Sequence, residues 1–253
     1  MAKAKDFGGP YPGARPGFSY LQHGSQHGSQ HVFPLTPTAD GTWSLWDDTS
    51  NTDLDVWLAA HGEPSMAERV PVLSYGSNAC PSKLVDLRGR HIPLTGPVPM
   101  TRCTVVGLAA AWCNGARSDG AVPATLAEAA GTEEHFIWWV APDQWAALDA
   151  CEGRSSLTYS LVALNASHAN TVDGVVRPVV QSEGGIDLGW VFAYVGTTRT
   201  RRPMPGADGG PLLVRDLDQA SAVAYKATRP GSLPAVELGK VFPYGINPTR
   251  GNG

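Results

Sequence analysis

The spacing of apolar and polar positions changes period several times along the chain, and the changes mark out its elements. Val70-Pro-Val-Leu-Ser-Tyr75 is an almost unbroken apolar run of strand length and predicts a buried strand. Leu84 and Leu87 then follow at helical spacing, with Pro81 suited to a first helical turn, where a missing N–H has no partner to lose. Met100 to Val106, Ala109 to Trp112, Ala121 to Ala127 and Glu134 to Val140 read as strands. Within the last of these, Phe136-Ile-Trp-Trp-Val140 is apolar at every position, which predicts an interior strand covered on both faces. A helix is expected over Ala141 to Glu152. Pro142 opens it, Trp145, Leu148 and Cys151 share one face, and Gly153 fits the left-handed position past its end. Tyr159 to Leu164, Gly174 to Val180 and Leu188 to Tyr194 are further expected strands. Val214 to Ala227 is an expected last helix, broken at Arg229-Pro-Gly. The strands are not each followed by a helix, so the pattern is α+β rather than a doubly wound sheet.

The N-terminal part reads differently. Residues 1 to about 40 are rich in Gly, Pro, Ser and His and contain a small repeat that places His23, His27 and His31 four apart. That spacing would line one face of a helix, but Gly24 and Gly28 oppose one. Three histidines without Cys, Asp or Glu between them are a weak metal-ligand set. The simpler reading is a flexible polar arm, whose removal should leave stability almost unchanged. Trp43 and Trp46 lie in a short extended stretch. Thr52 to His61 predicts a helix capped by Ser50, Asn51 or Thr52, with Leu54, Trp57 and Leu58 as its buried stripe and Gly62 as its stop. Its apolar stripe should pack on the main body or lid a site, and deletion through His61 should lower stability. The expected organisation is therefore an N-terminal extension, 1–69, a main domain, 70–228, and a C-terminal tail, 229–253, with no clear motif.

Composition narrows the function classes. Hydrophobic residues make up 42% and charged residues 17%, which suits a globular chain. The formal charge is −4, and Arg199, Arg201 and Arg202 form only a short basic cluster, so nucleic acid and anionic membranes are poor candidate partners. No stretch approaches the roughly 20 apolar residues of a spanning helix, and no apolar segment follows Lys3 and Lys5 as in a secretory signal. Cys80, Cys103, Cys113 and Cys151 show no paired spacing and read as reduced thiols of a cytoplasmic protein.

Two short motifs carry chemistry. Tyr75-Gly76-Ser77-Asn78 falls at a strand-to-helix junction, where backbone N–H groups point outward and can hold a carboxylate or carbonyl oxygen. Gly76 lets the backbone turn sharply and approach a ligand. The tetrapeptide alone is also that of many ordinary turns. Leu148-Asp149-Ala150-Cys151-Glu152-Gly153 places Glu152 in a last helical turn. The negative end of the helix dipole and partial burial both disfavour its ionised form and raise its pKa toward proton-transfer values. Taken singly, it is also an ordinary Glu beside a Gly cap.

Together and in this order the two motifs resemble the γ-glutamylcyclotransferase family. Ala124-Thr125-Leu126, Glu134 to Val140 and Tyr159 match the strand pieces between and after them, and Tyr194 falls at a later strand tyrosine. The resemblance spans Val70 to about Thr228, and the Asn after Gly-Ser is closer to the γ-glutamylcyclotransferase and γ-glutamylamine branches than to the glutathione-specific one. It implies a mixed β-barrel or sheet with flanking helices. It also implies a cofactor-independent, metal-free intramolecular acyl transfer on a small-molecule γ-glutamyl substrate, lyase or acyltransferase chemistry that releases 5-oxoproline. By the same resemblance Glu152 is the general acid/base, Tyr75, Gly76, Ser77 and Asn78 hold substrate oxygens, and Tyr159 orients the substrate or Glu152.

Other readings stay open. Ser77 lacks nucleophile-elbow surroundings and a placed His, and Cys151, beside Trp145 and Leu148, reads as a buried apolar thiol. His61, His91, His135 and His168 show no ligand spacing, and Asp149 either supports the helix end or is solvated. A non-catalytic binding domain with the arm over the cavity, or an amide hydrolase using Cys151 or Ser77, are the alternatives to a cyclotransferase.

Overall fold

The computed structural model describes residues 2–24, 28–165, 178–186, 188–228 and 231–249. In chain order these form β1 (Ala2–Lys3), β2 (Tyr20–Gly24), β3 (Gln30–Pro37), β4 (Trp43–Trp46), β5 (Asn51–Asp53), α1 (Leu54–Ala60), β6 (Val70–Ser74), α2 (Pro81–Arg88), β7 (Val98–Trp112), β8 (Ala124–Val140), α3 (Trp145–Glu152), β9 (Tyr159–Asn165), β10 (Val179–Ser182), β11 (Trp190–Gly196), α4 (Gln219–Thr228) and β12 (Val241–Phe242). The architecture is α+β: one large mixed sheet and four helices among the described residues.

The strands follow the path β12-β9-β11-β6-β8-β7-β2-β3-β4-β5, with β1 beside β3 and β10 beside β7. The path has two ends, so the expected barrel is not formed and the sheet is open. β11 and β6 run parallel, and the other pairs are antiparallel.

Period-two alternation divides the core between the two faces of the central strands. Phe136, Trp138 and Val140 of β8 share one apolar cluster with Val70 and Val72 of β6, Leu84 and Leu87 of α2, and Trp145 and Leu148 of α3. Ile137 and Trp139 point the other way, into a cluster with Leu73, Val191 and Val195 and with Leu54 and Leu58 of α1. The apolar run 136–140 is thus covered on both sides, as its composition predicts, between β6 and β7.

Several element boundaries differ from expectation for identifiable reasons. The strands expected at 100–106 and 109–112 are one strand, and those expected at 121–127 and 134–140 are likewise one, which begins only at Ala124. An irregularity joins them: Val106 faces Thr132 and Leu108 faces Glu128, with Gly107 and Gly131 both at positive φ between. α1 is capped by Asp53, the last residue of β5, which accepts from the Val56 N–H at 3.0 Å, rather than by Ser50, Asn51 or Thr52. Trp43 is buried and Trp46 exposed, as alternation requires. α4 starts at Gln219 because Val214 still donates to the Ala110 carbonyl at 2.8 Å and Asp218 caps Ser221. The expected strand 174–180 and the helix break at 229–231 lie partly outside the described residues, as does the histidine repeat through His27.

The largest departure is the N-terminal arm. Where the sequence predicts flexibility, β2 pairs with β7, Tyr20 facing Met100, and β3 pairs with both β2 and β4. Tyr20 and Leu21 are fully buried, one on each face of the sheet. A five-residue strand with His and Gly at its end carries too little alternation to be read from sequence, and tertiary pairing supplies what local pattern lacks. The C-terminal tail likewise contributes β12, paired with β9.

Candidate active site

Two loops at the same end of the central sheet create the site. β6 ends at Ser74, and Tyr75–Asn78 turns the chain into a short 3₁₀ segment and then α2. Its geometry is fixed from several sides. The Tyr75 hydroxyl donates to the carbonyl of Tyr194 on neighbouring β11. Tyr20 of β2 donates to the Ala79 carbonyl at 2.9 Å. Arg15 donates to the carbonyls of Tyr75 and Gly76 at 2.7 and 3.1 Å. The carbonyls are therefore turned away into the protein. The loop's own turn bonds start only at Ala79 and Cys80, which leaves the Gly76 and Ser77 N–H groups without a backbone partner among the described residues.

α3 supplies the acid. Its Trp145, Ala147 and Leu148 are buried against the sheet. Gly153 ends it at φ 62°, as predicted, and a Cβ there would lie 3.0 Å from the Thr158 hydroxyl. This end brings Glu152 over the Tyr75–Asn78 loop, 74 residues away in sequence, and the Asn78 side-chain amide donates to Glu152 Oε1 at 2.5 Å. Burial raises the Glu152 pKa above the ordinary carboxylate value, while the Asn78 hydrogen bond and the charges of Lys83 and Arg117 pull it back.

Tyr75–Asn78, Glu152 and Tyr159 all line one cavity of about 340 Å³. The Tyr159 hydroxyl donates to the Ala124 carbonyl at 2.9 Å, so it builds the wall rather than reaching Glu152. Cys151 lines the cavity half-buried, 3.9 Å from Asn78 Oδ1, and burial pushes its thiol up to about 11. No histidine lines the cavity among the described residues, so Ser77 has no imidazole to activate it. His91 is exposed, His135 is buried against Glu133 at 3.0 Å, and His168 lies outside the described residues.

Sequence reasoning missed several cavity residues. Lys83, Arg90, Arg117 and Arg201 line the same space, four cations beside the single lining carboxylate, Glu152. They come from three separate segments, Lys83 on α2 with Arg90 just past its end, Arg117, and Arg201, and form no run in the sequence. Asp149 is not solvated. It is buried, accepts from Arg154 Nη1 at 3.0 Å on both oxygens, and accepts from the Tyr194 hydroxyl at 2.5 Å. Tyr11 also lines the cavity, from a segment the sequence assigns to a flexible arm.

No family model matches the chain, and no curated protein matches it. Among solved structures, a protein described as gamma-glutamyl cyclotransferase aligns with 69% of this chain and 94% of its own, at 16% identity and a TM-score of 0.37. An uncharacterized protein from Homo sapiens aligns with the same coverage, identity and TM-score. YkqA from Bacillus subtilis aligns with 79% of this chain and 71% of its own, at 15% identity and a TM-score of 0.35. No described helix is long and apolar enough to cross a membrane.

Proposed function

We propose that this chain catalyses a γ-glutamylcyclotransferase-type reaction: intramolecular acyl transfer that releases 5-oxoproline and an amine from a γ-glutamyl compound. The observation that carries the reading is the hydrogen bond from Asn78 to Glu152 in the cavity wall. It joins a carboxylate of raised pKa to a loop whose free N–H groups can hold a carbonyl oxygen.

The chemistry follows from those groups. The α-amine of the substrate attacks its own γ-carbonyl, a C–N bond closes the lactam, and the bond to the leaving amine breaks. At neutral pH an α-ammonium is largely protonated and cannot attack, since its pKa is about 8. Glu152, whose pKa burial raises above the ordinary carboxylate value, takes this proton and returns one to the leaving nitrogen. The nucleophile is tethered to its target, so the site's main task is to fold the substrate into attack geometry. The Gly76 and Ser77 N–H groups face the oxygen on which charge develops. Lys83, Arg90, Arg117 and Arg201 favour a carboxylate in the substrate, such as the free α-carboxylate of a γ-glutamyl compound. A thiol pushed up to about 11 is neutral at physiological pH, and no imidazole lines the cavity among the described residues to activate it, which weakens the hydrolase alternative.

Incubation with a panel of γ-glutamyl amines, with 5-oxoproline and glutamate resolved by mass spectrometry, tests the reading. Release of 5-oxoproline is expected. Glutamate as the only product would make the protein a hydrolase, and no turnover across the panel would favour a binding domain.

A further inference from the structure

The N-terminal segment, which the resemblance does not cover, adds Tyr11 to the cavity wall. That segment is fastened to the site loop at three points. Cys80 Sγ and Ser82 Oγ donate to the Phe7 carbonyl at 3.0 and 3.4 Å. Gly13 backs onto Cys80 so closely that a Cβ would meet its sulfur at 2.5 Å. Arg15 holds the Tyr75 and Gly76 carbonyls. Between these fastenings Tyr11 enters the cavity. Its ring packs on Trp112 at 6.0 Å between centroids, and the Arg117 guanidinium lies 5.9 Å over it.

The tip of Tyr11 is placed for chemistry. Its oxygen accepts the Ala124 N–H at 2.9 Å and stands 3.0 Å from where a Cβ on Gly76 would be. It thus lies beside the free N–H groups of the loop, and a side chain at position 76 would press on it. With its oxygen occupied by Ala124, the hydroxyl proton has no acceptor among the described residues and borders the cavity. Burial raises the phenol pKa, so that proton is retained throughout the physiological range.

We propose that Tyr11 is a catalytic residue: its hydroxyl donates a hydrogen bond to the γ-carbonyl oxygen of the substrate and, with the Gly76 and Ser77 N–H groups, holds the negative charge that develops there. Tyr11 keeps its proton throughout. The proton traffic runs from the α-ammonium through Glu152 to the leaving nitrogen, and Tyr11 only stabilises the oxygen between bond making and bond breaking. The assignment rests on the cyclotransferase reading and adds a donor from outside the two motifs that suggested it.

The test uses the full-length protein, with Tyr11→Phe and with 3,5-difluorotyrosine at position 11. Loss of one oxyanion donor lowers turnover by about 100- to 1,000-fold. Tyr11→Phe is therefore expected to lower kcat on that scale while KM changes by no more than about 3-fold, at temperatures well below its melting transition. The difluoro phenol ionises at lower pH and then no longer donates, so its kcat is expected to fall at alkaline pH where the wild type is flat. A purely structural Tyr11 would leave the pH profile unmoved. Full activity of a folded Tyr11→Phe, a rise in activity as if a plug were removed, or identical pH profiles would each overturn the role of Tyr11 while leaving the cyclotransferase reading intact. A wild type that releases no 5-oxoproline would overturn both.

Discussion

Burial pushes the Glu152 carboxyl above the ordinary carboxylate range, and Asn78, Lys83 and Arg117 only partly oppose it. Its folded pKa therefore exceeds its unfolded one. Between the two values the folded protein holds the extra proton, and stability falls as pH rises across that window. Wherever Glu152 is ionised, its buried charge is a cost to the fold that a base requires. Glu152→Gln keeps the size of the side chain and an oxygen to accept from Asn78. It is expected to lower 5-oxoproline turnover by at least about 100-fold and to melt at or above the wild-type temperature at pH 7. That gap should close as pH drops below the ordinary carboxylate range, where the wild-type carboxyl is neutral too. A melting temperature clearly below wild type at pH 7 would show that the charge stabilises the fold. Cys151→Ala should retain most activity, because a thiol pushed up to about 11 supplies no thiolate. A folded but inactive Cys151→Ala beside an active Glu152→Gln would reverse the assignment.

At the scale of elements, Arg154 fastens the C-terminal tail to α3. Its Nη1 holds Asp149, and its Nη2 donates to the carbonyls of Phe242, Pro243 and Ile246 at 3.1, 2.7 and 2.9 Å. The guanidinium is almost wholly buried, and the Asp149 that it neutralises also anchors Tyr194 of β11. Arg154→Met fills the space but leaves Asp149 buried without its cation, which costs about 3–5 kcal/mol. Denaturant unfolding should show that loss, and limited proteolysis should open the tail around residues 243–249. A stability within about 1 kcal/mol of wild type would contradict it. This pairing also shows what a sequence conceals. Asp149 and Arg154 are five apart and meet only because Gly153 turns the chain left-handed between them. The elements that set the two motifs were legible because local pattern decides them: the apolar run ending at Tyr75, Pro81 in a first turn, the face of Trp145 and Leu148, and Gly153 at the stop. Tyr11, Arg15 and the four cavity cations were not, since they derive their position from pairings of the fold and leave no period behind.

For the whole molecule, an open sheet makes every strand a link, and the N-terminal strands are links between its parts. β7 meets β2, β2 meets β3, and β3 is the strand through which β4 and β5 join the path. The four side chains Tyr20, Leu21, Val32 and Leu35 are buried in these strands. Each contributes about 1.5–3 kcal/mol, so together they rival the entire 5–15 kcal/mol by which a typical domain is stable. Removal of residues 1–39 would also strand Trp43, Leu45, Leu54 and Leu58, which share a cluster with Leu21 and Leu35, and would bare the edge of β7 to other chains. The expectation from sequence, that this deletion is nearly silent, is thereby reversed. The deleted protein should lose its cooperative melt and near-ultraviolet circular dichroism, and it should elute as aggregate in size-exclusion chromatography. Further deletion through His61 should add little, because the first cut already separates β4, β5 and α1 from the sheet. A monomeric variant lacking residues 1–39 that melts cooperatively within a few degrees of wild type would show that the N-terminal strands are dispensable additions to a sheet complete without them.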